Sequence, residues 1–131
     1  DYYARVAGWY LAGGFVDELG RRHESGHRYR FAYWEVFNEP DLEHKMTAPQ
    51  YTERYDAIVA AVRPVAPDLK FVGLSLALPS QAPEYFEYFL NPANHAPGIP
   101  LDMISYHFYA LVDRSQTAEH WQHTFFDRPD K

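Results

Sequence analysis

The chain has 131 residues, 47% of them hydrophobic and 23% charged, the make-up of a globular protein rather than a disordered one. Its net charge of −6 opposes binding to nucleic acid or to an anionic membrane, since both need a positive face. There is no cysteine, hence no disulfide framework and no thiolate chemistry, and no apolar run reaches the length of a membrane span.

In chain order, residues 2–19 read as a helix. Val6, Tyr10, Phe15 and Leu19 hold one face, although Gly13-Gly14 weakens the middle. Residues 20–30 are polar and glycine-punctuated, a predicted loop. Residues 31–37 form an apolar run interrupted only by Glu35, as expected of a strand covered on both faces. Thr47-Ala48-Pro49-Gln50 has the form of a capping box, and Tyr51, Tyr55, Ile58, Val59 and Val62 then fall on one helical stripe. Pro64 and Pro67 close that helix. Residues 69–78 give a second strand, and residues 83–90 a short helix with Ser80 as its cap. Residues 101–109 give a third strand. Past Leu111 no element is predicted.

Strands alternating with helices predict βαβ units and a parallel sheet. No glycine-rich phosphate loop follows any strand, which argues against a nucleotide-binding fold. In a parallel sheet the strand C-termini share one end. The first predicted strand ends in Asn38-Glu39-Pro40 and the third in His107 and Tyr109. One strand lies between them, so the two ends are roughly 10 Å apart at ~4.8 Å per step. An amide beside a carboxyl at such a mouth is equipped to bind a sugar hydroxyl and to protonate a glycosidic oxygen. Aromatic residues make up 18% of the chain; core packing is their ordinary use and sugar stacking the functional one.

Trp34-Glu35-Val36-Phe37-Asn38-Glu39-Pro40-Asp41-Leu42 resembles the fourth-strand signature of retaining glycoside hydrolases of clan A, closest to the family thirty-nine type of β-xylosidases and α-L-iduronidases. Val65-Ala66-Pro67-Asp68-Leu69-Lys70 continues the resemblance. So does Asp102-Met103-Ile104-Ser105-Tyr106-His107-Phe108-Tyr109, which is similar to the clan's sixth strand. The resemblance implies an α/β fold: a single partial catalytic domain over residues 1–131, made of about strands four to six of a (β/α)8 TIM barrel with their helices. A whole barrel runs to roughly 250 residues, and the sequence, which starts at Asp1 and ends on a polar stretch, is expected to be a partial one. The resemblance makes Glu39 the general acid/base and Asn38 the partner of the sugar 2-hydroxyl. His107 and Tyr109 become cleft residues that help hold the nucleophile. That nucleophile is a Glu ending the family's seventh strand, for which this chain has no counterpart. Where the family's fifth strand ends in a Gly-Gly-Pro type turn, this chain reads Gly73-Leu74-Ser75-Leu76-Ala77-Leu78-Pro79.

The expected activity is therefore retaining hydrolysis of O-glycosidic bonds in an oligosaccharide or glycoside, with no cofactor and with this chain inactive alone. The alternative is a non-catalytic carbohydrate-binding or scaffold protein that kept the barrel signature. Other motifs read more plainly. Glu35 lies about 13 Å along the strand from Glu39, too far for a retaining pair, and is expected to be a buried carboxylate matched by a cation on a neighbouring strand. His23-Glu24-Ser25-Gly26-His27 fits the zinc-protease letters, but that pattern works only on a helix, and the glycines and arginines around it predict a solvated loop. His120 and His123 have metal spacing with nothing to support it. His44 and His95 are placed in loops near the sheet's ends, His44 as a subsite candidate. No metal is expected.

Overall fold

The computed structural model describes residues 1–109 and 115–127. The chain is mixed α/β, with a small antiparallel hairpin followed by a three-stranded parallel sheet.

The first helix, α1 (Tyr2–Leu11), is shorter than its pattern predicts. The helix ends where Gly13 and Gly14 adopt φ of 80° and 147°, a region open to glycine without strain. The chain turns there into β1 (Gly14–Val16), which pairs antiparallel with β2 (Arg22–Glu24). A Cβ on Gly14 would stand 2.0 Å from the His23 carbonyl oxygen, so the hairpin closes only on a glycine. The predicted helix to Leu19 thus gives way to a strand, and the predicted loop of residues 20–30 contains β2.

The parallel sheet has the order β3-β4-β5, from β3 (Tyr33–Glu35), β4 (Lys70–Leu76) and β5 (Met103–Tyr106). This is the order and direction predicted from the alternation of strands and helices. β4 lies at the centre, and Phe71 through Leu76 are buried. Among the described residues β3 pairs on one side only, and its Tyr33 and Glu35 are exposed. The expectation of a strand covered on both faces over residues 31–37 is corrected accordingly: the strand is three residues long and sits at the sheet edge. The sheet is open, and the described strands close no barrel.

Helix α2 (Ala48–Val62) begins at the predicted capping box. The Thr47 N–H donates to Gln50 Oε1 at 2.9 Å, and the Gln50 N–H donates to Thr47 Oγ1 at 3.4 Å. The predicted stripe of Tyr51, Tyr55, Ile58, Val59 and Val62 is buried with Phe71, Leu74, Leu76 and Phe89 in one core. Helix α3 (Pro83–Phe89) sends Phe89 onto β4, where a Cβ at Gly73 would meet its ring at 2.4 Å. Ser80 does not cap it: Ser80 lies in a 3₁₀ turn, Pro79–Gln81, and Ala82 precedes α3 without a side-chain cap. β5 is shorter than the predicted strand, and residues 107–109 continue as irregular backbone. A fourth helix, α4 (Ala118–Asp127), lies where none was predicted. Its start carries a bond from the His120 N–H to Thr117 Oγ1 at 3.3 Å, and Phe125 packs edge-on against Phe108 with centroids 5.7 Å apart.

Candidate active site

The loop leaving β3 is tied to the end of β4 by its backbone. The Val36 N–H donates to the Val72 carbonyl and the Glu39 N–H to the Ser75 carbonyl, both at 3.0 Å. Asp41 completes the lacing: one carboxylate oxygen accepts the Ala77 N–H and the other the Leu78 N–H, each at 2.9 Å. These bonds hold Phe37 and Glu39 at φ of 68° and 45°, left-handed values that cost a side-chain-bearing residue about 1–2 kcal/mol each. The result is an alternation that no straight strand would give. Glu39 and Pro40 are buried and Asn38 between Phe37 and Glu39 is exposed.

The Glu39 carboxylate meets the end of β5 directly. His107 Nδ1 stands 2.7 Å from Glu39 Oε1, and the Tyr109 hydroxyl donates to the same oxygen. Among the described residues, no donor reaches Oε2. His107 is fixed from behind, its own N–H donating to the Leu76 carbonyl at 2.7 Å and its Nε2 lying 3.2 Å from Ser75 Oγ. The strand ends predicted to face one another across one strand are thus joined by side chains.

The electrostatics follow from these contacts. The Tyr109 hydroxyl and then His107 stabilise the ionised carboxyl of Glu39 and hold it below the ordinary carboxylate range, against burial and the nearby Asp41 charge. Tyr109 is pushed the other way, chiefly because its hydroxyl donates to that carboxylate.

Glu39, His107 and Tyr109 therefore form one cluster. Asn38 is adjacent but outside it: among the described residues nothing hydrogen-bonds its amide. Two residues of this region were not singled out from the sequence. Asp41 was legible only as the acid after Asn-Glu-Pro, and Ser75 only as a departure from a glycine-rich turn.

The remaining candidates fall elsewhere. Glu35 is exposed and accepts a bond from the Ser105 hydroxyl. The expected burial beside a cation is corrected, because an edge strand leaves the carboxylate in water. His44 is exposed and packs edge-on against Phe37 at 5.4 Å. His95 is pinned in the helical layer, Nδ1 2.7 Å from Asp56 Oδ1 and Nε2 2.6 Å from the Phe89 carbonyl. His23 lies on β2, not on a loop, and its Nε2 is 2.8 Å from Asp17 Oδ2. His27 follows β2 and stacks against Tyr10 and Tyr29. His120 and His123 are both exposed on α4.

The sequence model of Glycosyl hydrolases family 39 matches residues 11–124. No curated protein and no solved structure matches the chain.

Proposed function

The chain belongs to glycosyl hydrolase family 39, and on that premise we propose that it carries the acid/base half of a retaining glycosidase site. The observation that carries the reading is the convergence of His107 and Tyr109 on one oxygen of the buried Glu39, beside the exposed amide of Asn38. This cluster lies at the C-terminal ends of parallel strands, where (β/α)8 enzymes keep their chemistry. In this reading β3, β4 and β5 are the fourth to sixth strands of such a barrel.

The geometry supports the following roles. With Oε1 occupied, Oε2 is the oxygen that faces the glycosidic bond. Glu39 donates a proton from it to the leaving group, then takes one from water as the glycosyl-enzyme breaks down. Asn38 binds the 2-hydroxyl of an oligosaccharide or simple glycoside. The first step needs Glu39 protonated, whereas His107 and Tyr109 hold it ionised. A second carboxylate about 5–5.5 Å away, which a retaining mechanism requires as nucleophile, reverses this by like-charge repulsion. Asp41 is occupied in lacing the loop to β4, each of its oxygens accepting a backbone N–H. Glu35 points to Ser105 from the sheet edge. In this reading the nucleophile lies outside the described residues, and the chain alone is expected to turn over no glycoside.

The test is rescue by a small anion in a protein that joins this chain to the rest of the barrel. Glu39→Ala should accumulate glycosyl-enzyme from an activated aryl glycoside, since no base activates water. Azide, which needs no base, should restore turnover and give a glycosyl azide of retained configuration. A variant unaffected by azide contradicts the assignment. One observation favours a second reading, a non-catalytic carbohydrate-binding protein: the described cluster stabilises the wrong protonation state for an acid. Saccharide binding with no turnover in the completed barrel would support it.

A further inference from the structure

β4 carries a bulge at the residue that touches both halves of the Glu39 cluster. Leu74 pairs with Ser105 and Leu76 with Tyr106, so two steps along β4 meet one along β5 and Ser75 is the extra residue. Ser75 has φ of 51° and follows Leu74 at 78°. Bulges beside functional sites re-aim side chains, and this one directs a fully buried hydroxyl at His107. The Ser75 carbonyl meanwhile accepts the Glu39 N–H at 3.0 Å.

We propose that Ser75 is a positioning residue whose hydroxyl locks His107 in the tautomer that donates to Glu39. Nδ1 faces a carboxylate oxygen at 2.7 Å, and an ionised carboxylate only accepts, so Nδ1 carries the proton. A neutral ring then presents a bare Nε2, which needs a donor. Ser75 Oγ, 3.2 Å away, supplies it. Without that hydroxyl, the Nδ1–H form is favoured by its bond to the carboxylate alone, so its lead over the Nε2–H form falls and Glu39 holds its second donor less firmly. Tyr109 remains as the other, with the Asp41 charge opposing both.

The connectivity Ser75–His107–Glu39 repeats that of a Ser-His-acid nucleophile array. Ser75 has no solvent exposure, however, so no substrate carbonyl reaches its oxygen, and its hydroxyl acts as a donor only. The role deepens the glycosidase reading and rests on it for its catalytic consequence, but the tautomer itself does not.

The test is the ¹⁵N spectrum of the His107 ring in the 131-residue chain near neutral pH, without substrate. The native chain should show a protonated Nδ1 and an accepting Nε2. Ser75→Gly removes the hydroxyl and suits the left-handed backbone, so it should fold. It should lower the ratio of Nδ1–H to Nε2–H about fivefold or more, the worth of one ordinary hydrogen bond. Ser75→Ala, which keeps the Cβ, should do the same. Either folded variant retaining the native tautomer ratio overturns the proposal, as does failure of both to fold, which makes Ser75 purely structural. A lost tautomer without azide rescue of Glu39→Ala would leave the positioning role standing and remove the glycosidase reading.

Discussion

Glu39 is drawn in two directions: burial and Asp41 favour its neutral form, Tyr109 and His107 its ionised one, and the donors prevail. A carboxyl whose folded pKa is depressed adds stability at any pH above its unfolded value, near 4.5 here, and that contribution is lost as pH falls through the lower folded value. Glu39→Gln should therefore flatten part of the acid limb of a stability-against-pH curve below about pH 4.5. Asp17 and Glu18, also held low, contribute equally to both proteins, so the difference isolates Glu39. Urea titrations across that range check this; parallel curves for variant and native contradict it. At this scale the sequence singled out Glu39, Asn38, His107 and Tyr109 by type and strand-end position, and the structure joins three of them, Glu39, His107 and Tyr109, by side chains. The sequence was silent on Asp41's two backbone bonds and on Ser75's aim, because both depend on a loop folding back over a different strand.

Between elements, the bulge in β4 depends on Tyr51 of α2. Its hydroxyl accepts the Leu74 N–H at 2.6 Å and donates to the Val36 carbonyl at 3.2 Å, so one buried phenol bridges the central strand to the loop that carries Glu39. Burial raises its pKa far above the ordinary tyrosine value, which keeps the hydroxyl protonated and able to serve both partners. Tyr51→Phe leaves a buried Leu74 N–H without its partner, and should cost about 1–3 kcal/mol. Chemical denaturation should show a lower midpoint with an unchanged m-value; an unchanged midpoint contradicts the bridge. The elements legible in sequence were those with enough length for a pattern, above all α2 with its capping box and stripe. β1, β2 and β3 have three residues each, too few for a period to emerge. Leu74-Ser75-Leu76-Ala77-Leu78 alternates like a straight strand, so nothing in it announces a bulge.

On the scale of the whole molecule, the topology was the most readable feature, since strand–helix alternation leaves few arrangements other than a parallel sheet. Less readable was how much of that sheet is covered. The edge at β3 carries a largely aromatic groove that also includes Glu35 and is lined by Val6, Tyr10, Tyr29, Phe31, Tyr33 and Trp34, and exposed edges of this kind favour association with further strands. Under the proposed function, such further strands would be those of a barrel that also supplies the second carboxylate. The central claim is that Glu39 donates a proton to the leaving oxygen. Its most direct test is the leaving-group dependence of kcat/KM for Glu39→Ala, with this chain set in a complete barrel. The account predicts a large loss, at least about a hundredfold for a general acid, with poorly activated glycosides, and a much smaller one with dinitrophenyl glycosides that need no proton. Equal losses for both would contradict it.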